Sequence, residues 1–223
     1  MAGPDSGSTM DERAVTRAGN PGNPHGHFGE QMLERMNRSH ADVTNWALDQ
    51  LEFKAGYRAL DIGCGGGATM GRLARHIQAA GGMGHVSGVD ISEVSCEASR
   101  RNNAEAIRAG QMDVTQASVE SLPYPDAAFD VVTTVESFYF WPNPTRCLAE
   151  VARVVRPGGR FLLVADVYRR PDLAPDVLQS IECYDLTVLA PGEYERLLVE
   201  AGFSRAKAHL KDGTTWIAVE AER

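Results

Sequence analysis

The sequence predicts an α/β protein built on a doubly wound, mostly parallel sheet. Three observations carry this expectation. From Gly56 onward, short apolar runs of strand character alternate with segments of helical periodicity, as a parallel sheet with crossover helices requires. A glycine cluster, "GCGGG" at residues 63–67, follows directly on the apolar run "ALDI", and the loop after the first strand is where such sheets bind ligands. The chain has 223 residues, 43% hydrophobic and 23% charged, which suits a single domain able to bury a good core.

Taken in order, residues 1–27 are rich in Gly, Pro, Ser and Asn and are expected to be a flexible N-terminal segment. Residues 28–55 carry two short amphipathic helices. Phe28, Met32, Leu33 and Met36 share one face in the first, and Val43, Trp46, Ala47 and Leu51 share one in the second. Residues 56–223 form the main domain. "YRALDIG" reads as its first strand, and Met70, Leu73 and Ile77 line one face of the helix after the glycines. "HVSGVD" is a second strand, and "SEVSCEASRRNNAEAIRAG" a helix capped by Ser92 and stopped at Gly110. "QMDVTQAS" is a third strand, "SLPYPD" a turn, and "FDVVTTV" a fourth strand. Leu148, Val151, Ala152 and Val155 line the next helix, which "RPGG" is expected to end. "RFLLVADV" is a fifth strand, followed by a less regular stretch. "GEYERLLVEAGF" is a last helix, and "SRAKAHL" with "TTWIAVEAE" close the chain as a hairpin around Asp212-Gly213. No internal repeat interrupts this order.

Composition excludes several partners. The net charge is −8 with no Lys/Arg cluster, so neither nucleic acid nor an anionic membrane is expected to bind. No apolar run is long enough to span a bilayer, and the first thirty residues lack the core of a signal peptide. Cys64, Cys96, Cys147 and Cys183 are widely spaced without a CxxC pair, so neither disulfides nor a metal site is expected. Reduced thiols in a cytoplasmic setting fit best.

The glycines carry the function. Gly63, Gly65 and Ala68 satisfy G-x-G-x-x-G/A, though that pattern by itself also describes a tight turn. Asp90, ending the second strand, is placed to accept both hydroxyls of a ribose; its competing role is a cap for the helix that follows. Two adenosine cofactors fit this layout, NAD and S-adenosylmethionine (SAM). Asp61 separates them. A carboxylate beside the turn repels a pyrophosphate but attracts the ammonium and sulfonium of SAM. An NAD-dependent oxidoreductase is further disfavoured by the lack of a Tyr-x-x-x-Lys pair.

Together, "LDIGCGGG", "VSGVDIS", "ASVESLPYPDAAFDVV" and "EVARVVRPGGRFLLV" in this order resemble a class I SAM-dependent methyltransferase. The similarity is to the small bacterial enzymes related to ubiquinone and menaquinone biosynthesis, and runs from about Phe28 onward. The resemblance implies a Rossmann-like, seven-stranded sheet with its last strand antiparallel, and an N-terminal helical lid over the cofactor. It places Asp61, Gly63, Gly65 and Gly67 around the methionine and ribose parts, Asp90 on the ribose hydroxyls and Ile91 on the adenine. Ser118 and Val119 match the adenine-edge positions, although relatives often have Asp where Ser118 stands. Glu136 falls near the transferred methyl, and "RPGG" looks structural.

The acceptor should face "ESFYFWPNP", residues 136–144. Phe138, Tyr139, Phe140 and Trp141 are the densest aromatic cluster in the chain, and alternate members, at least two of them, are expected in the core. Glu136 and Tyr139 are the candidate catalytic groups. Relatives frequently carry a His here, and its absence leaves a general base unassigned. His25, His27 and His40 flank the first helix; each reads more readily as a surface or loop residue, but a lid could carry one to the acceptor. Scattered thiols argue against arsenite methylation. The lack of [DNS]-P-P-[YFW] after the fourth strand argues against methylation of DNA bases. The expectation is methyl transfer from SAM to a small molecule by a monomer or homodimer. The alternative outside enzymology is a SAM-binding module without an acceptor site.

Overall fold

Adjacent residues along the central strands go to opposite faces of a sheet, and the chain uses both faces as core. In the computed structural model, which describes residues 12–223 (side chains from Ala14 onward), Ala59 and Leu60 of β1 (Arg58–Ile62) enter two different apolar clusters. Val131 and Val132 of β4 (Phe129–Val135) do the same, as do Leu162 and Leu163 of β5 (Val155–Ala165). This two-residue period with both faces buried is why these strands read as continuous apolar runs. The remaining strands are β2 (His85–Asp90), β3 (Met112–Gln116), β6 (Arg205–Leu210) and β7 (Ile217–Glu222). Among the described residues they form one seven-stranded sheet in the order β3-β2-β1-β4-β5-β7-β6. β7 runs antiparallel to both β5 and β6, and the other pairings are parallel. The expected fold is therefore observed, including the antiparallel last strand. The order reverses between β1 and β4, which opens a crevice at their carboxyl ends.

One face is covered by α3 (Ala41–Leu48), packed on β5, and α4 (Ala68–Ala79), packed on β1 and β2, with Val43, Ala47, Leu48, Met70, Leu73 and Ile77 buried in one apolar cluster. The other is covered by α7 (Pro144–Val154) and α9 (Pro191–Glu200), with Leu148, Val151, Tyr194 and Leu198 packed on Val132 and Phe161. Each such side chain contributes about 1.5–3 kcal/mol when fully buried. α3 thus belongs to the core of the sheet.

Several local expectations are revised. The segment 1–27 was expected to lack regular structure, but α1 (Glu12–Gly19) is helical; residues 1–11 lie outside the described part. α1 packs on α2 (Gly26–Ser39), with Thr16 accepting a hydrogen bond from Arg35. A Cβ on Gly19 would sit 2.9 Å from the Phe28 carbonyl oxygen, so glycine permits this close approach. The helix after Ser92 breaks in two, α5 (Glu93–Asn102) and α6 (Ala104–Arg108), where the Asn103 amide turns to the carbonyls of Gly67 and Ser99. α7 ends at Val154, three residues before Pro157. Val155 is already extended and pairs with Phe129, and "RPGG" is an irregularity inside β5 before Arg160 pairs with Val131. The stretch after β5 contains α8 (Pro175–Cys183), none of whose residues is buried. Among the described residues, no helix is long and apolar enough to cross a membrane.

Candidate active site

The loop after β1 turns back on itself because three of its glycines take positive φ. Gly63, Gly65 and Gly67 have φ of 71°, 50° and 78°, a region that costs L side chains energy and glycine almost nothing. The amides of Gly63 and Cys64 both donate to the Val89 carbonyl, at 2.8 and 3.0 Å, locking the loop to the end of β2. A Cβ on Gly63 would fall 2.1 Å from the Ser137 hydroxyl oxygen, so glycine also lets the segment after β4 close against the loop.

Asp90 is the pin of this arrangement. Its two carboxylate oxygens accept the amides of Gly65 and Ser92, each at 2.9 Å. The cap of α5 is Ser92, whose hydroxyl accepts the Ser95 amide at 3.1 Å. The capping role weighed for Asp90 therefore falls to its neighbour, and Asp90 remains on the wall of the cleft. Burial raises its pKa, opposed by the amides it accepts.

Asp61 sits one layer deeper. It is 2% exposed and accepts the Thr133 hydroxyl at 2.7 Å. Burial and the nearby Asp90 push its carboxyl up to about 7, while Thr133 and Arg72 pull it back.

The cleft runs along the carboxyl ends of β1, β2 and β4. Gly63, Gly65, Asp90, Ile91, Ser118 and Val119 all line it, as does Glu136. Gly67 does not: it caps α4, and a Cβ there would fall 2.4 Å from the side chains of Ser99 and Asn103. Ile91 is 52% exposed inside the cleft, an apolar side chain left uncovered where a flat ring could lie. The opposite wall is a roof built from Pro21, Pro24, Leu33, Met36, Asn37 and His40. The Ser92 hydroxyl donates to the Pro24 carbonyl oxygen at 2.5 Å and ties this roof to the sheet.

At the far end of the cleft, the aromatic cluster divides. Phe138 and Tyr139 are in the core, so at least two members are buried but as consecutive residues rather than in strict alternation, and Trp141 is buried while still reaching the cleft wall beside Phe140. Tyr139 does not line the cleft. It is 5% exposed, and its hydroxyl donates to an Asp166 carboxylate oxygen at 3.1 Å. Burial, then Glu136 and Asp166, raise its phenol far above the usual range, so it stays protonated as a donor. Glu136 follows β4 with a φ of 54°, strained for a residue with a side chain, and accepts the Asp166 amide at 2.5 Å. Burial first, then the charge of Asp166, lift its carboxyl well above the usual range. One ligand atom each from His40, Glu136 and Asp166 lie within 4.8 Å of one another.

Two groups here escaped the sequence reading. Asp166 directly follows β5, as Glu136 directly follows β4, so the same rule about strand ends would have found it in "VAD". Arg72 lines the cleft from the second turn of α4, with its Nε donating to Asn45 at 2.9 Å. The helical face of Met70, Leu73 and Ile77 drew attention to the opposite side of that helix.

This donor set fits SAM better than NAD. The glycine loop and the first turn of α4 present backbone amides, Arg72 brings a cation suited to a carboxylate, and Asp90 on the cleft wall opposes a pyrophosphate.

Comparison with known proteins points the same way. A family model described as a methyltransferase domain matches residues 60–163. The chain is 33% identical over 199 residues to the 27-O-demethylrifamycin SV methyltransferase of Amycolatopsis mediterranei (strain S699), covering 82% of this chain and 67% of that one. It is 32% identical over 151 residues to O-methyltransferase cnsE of Penicillium expansum, covering 66% of this chain and 52% of the other. The chain therefore spans between about half and two-thirds of the length of these relatives. The crystal structure of a SAM dependent methyltransferase from Aquifex aeolicus superposes with a TM-score of 0.64 at 18% identity, covering 96% of this chain and 98% of that one.

Proposed function

The chain belongs to the class I SAM-dependent methyltransferases, and from that premise we propose that it methylates a small molecule held at the aromatic end of this cleft. It is an enzyme, and SAM is its cofactor. When bound, SAM supplies a methyl carbon already activated toward nucleophiles by its sulfonium. The supporting observation is that one continuous cleft joins an amide-and-carboxylate end, at Gly65 and Asp90, to an aromatic end, at Phe140 and Trp141, under a single helical roof. In this reading Asp90 holds the ribose, Ile91 covers the adenine, and Ser118 and Val119 border its edge. Arg72 and the first turn of α4 take the methionine carboxylate, and the buried Asp61 compensates the ammonium. α1 and α2 act as a lid that excludes water and orients the acceptor, which is much of what an in-line displacement needs. Both relatives named above are described as methyltransferases, and the printed name of each places the methyl on oxygen.

Calorimetry tests the cofactor half: SAM and its demethylated product should bind, and NAD should not. Asp90→Ala should weaken SAM binding by roughly 1.5–3 kcal/mol, the usual loss for a hydrogen bond to a charged group. Wild-type affinity in that variant would leave Asp90 with only its amide contacts. Arg72→Met should lower affinity about tenfold to a hundredfold, read in the same titration, and an unchanged value would remove the guanidinium from the site.

Asp61 gives the pH dependence. Its carboxyl ionises near 7 in the folded chain against 3.8 ordinarily, so the folded state binds more protons than the unfolded one between those values. Stability is therefore lost as pH rises from about 4 to about 7, by about 4 kcal/mol in total, and levels off above. A cation beside Asp61 favours its ionised form. SAM binding should thus release a proton near neutral pH, and affinity should rise between pH 6 and pH 8. Titrations in buffers of different ionisation enthalpy measure that proton. Asp61→Asn should abolish both the release and the slope; a slope surviving in the variant would belong to another group.

A further inference from the structure

Three histidines flank α2, and the fold treats them differently. His25 and His27 are exposed, and the partners of their rings, Asn23, Phe28 and Gln31, are all nearby in sequence. His40 alone of the three lines the cleft. It joins α2 to α3 with φ −91° and ψ 5°, a sparsely populated region where many active-site residues sit. Its backbone is held on both sides: its amide donates to Met36 at 3.0 Å, and its carbonyl accepts the Thr44 hydroxyl at 2.6 Å. The ring faces two carboxyl groups delivered by neighbouring strands, Glu136 after β4 and Asp166 after β5. Asp166 is itself oriented by the Tyr139 hydroxyl.

We propose that His40, oriented and charge-compensated by Asp166, is the base that takes the acceptor's proton, and that the acceptor is a phenol or alcohol hydroxyl. The proposal rests on the methyltransferase reading above. An amine is nucleophilic once it has shed its proton to bulk water before entering. A hydroxyl must lose its proton as the bond forms, and here that happens under a roof that excludes water. As the oxygen lone pair forms the new C–O bond, His40 accepts the hydroxyl proton. The C–S bonding pair stays on sulfur, which leaves as a neutral thioether, and the imidazolium later returns its proton to solvent. The groups facing His40 are Arg35 from its own helix, Asp166 and Glu136. Burial first, then Arg35, lower the ring's pKa, against the raising effect of Asp166, so the free ring is neutral and ready to accept a proton.

Asparagine is a good cap, so His40→Asn preserves the helix junction; His40→Gln is the second variant. In an imidazole NMR titration of the free protein, the resonance missing from His40→Asn should titrate below 6.5, and lower still in Asp166→Asn. Methyl transfer is then read with radiolabelled SAM on phenols of graded acidity, aliphatic alcohols, amines and a thiol. In both His40 variants the rate on phenols un-ionised at the assay pH should fall about 10²–10⁴-fold. On a nitrophenol already ionised it should fall less than about tenfold, with SAM affinity by calorimetry unchanged. Full phenol turnover in His40→Asn overturns the proposal, as does transfer confined to thiols or amines. So does a divalent-cation requirement in which His40→Asn loses Mn²⁺ binding. A wild-type protein that does not bind SAM refutes the methyltransferase reading itself, which keeps the two failures distinct.

Discussion

Gly65→Val should abolish measurable SAM binding while leaving the domain folded. Gly65 has φ +50° and its amide donates to Asp90, so a β-branched residue there must either adopt a strained backbone or withdraw that amide. The strain costs about 1–3 kcal/mol, which the buried sheet withstands. A valine would also project toward Leu33, whose Cδ2 lies 3.5 Å from an added Cβ, and so fill the space between loop and roof. Affinity should fall at least about a hundredfold, corresponding to about 2.7 kcal/mol, with a smaller shift in the urea midpoint. SAM binding retained in this variant would reduce the glycine loop to a turn.

Removing residues 1–38 should lower turnover by about a hundredfold or more, far out of proportion to the loss of stability. The deletion takes away Met32 and Leu33, both buried, worth about 1.5–3 kcal/mol each. The core between α3, α4 and the sheet is untouched. What the deletion does remove is one wall of the cleft: Pro21, Pro24, Leu33, Met36 and Asn37. The same roof should resist trypsin at Arg17, Arg35 and Arg38 more strongly when SAM is present. Equal cleavage with and without SAM, together with full activity of the truncated enzyme, would make α1 and α2 a structural appendage.

The parts of the site that were legible in the sequence are those whose signal is local. Positive φ at Gly63 and Gly65 is a property of the backbone at those positions, and only glycine carries it without strain. Asp90 and Glu136 stand at the ends of apolar runs, so finding the strands finds them. Ser92 announced itself as a cap, and it is one. Errors arose where a neighbour decides the outcome. Val155 fits the apolar face of α7 by period, yet pairing with Phe129 claims it for β5. Tyr139 looked like an acceptor-side group, yet its ring packs in the core and only its hydroxyl reaches toward the site, through Asp166.

The sequence by itself determined the sheet, its winding, the antiparallel closing strand and the glycine loop that borders the cleft. Strand periodicity and glycine conformation are written residue by residue, and Asp61 made SAM the expected cofactor over NAD before any packing was known. Only the tertiary structure brought together the groups proposed for the acceptor end. His40, Glu136 and Asp166 are remote from one another in the chain and belong to a helix junction and two strand ends. They meet because β4 and β5 are neighbours in the sheet and α2 and α3 fold back over their carboxyl ends. No period or spacing encodes that meeting; it follows from burying two apolar faces at once.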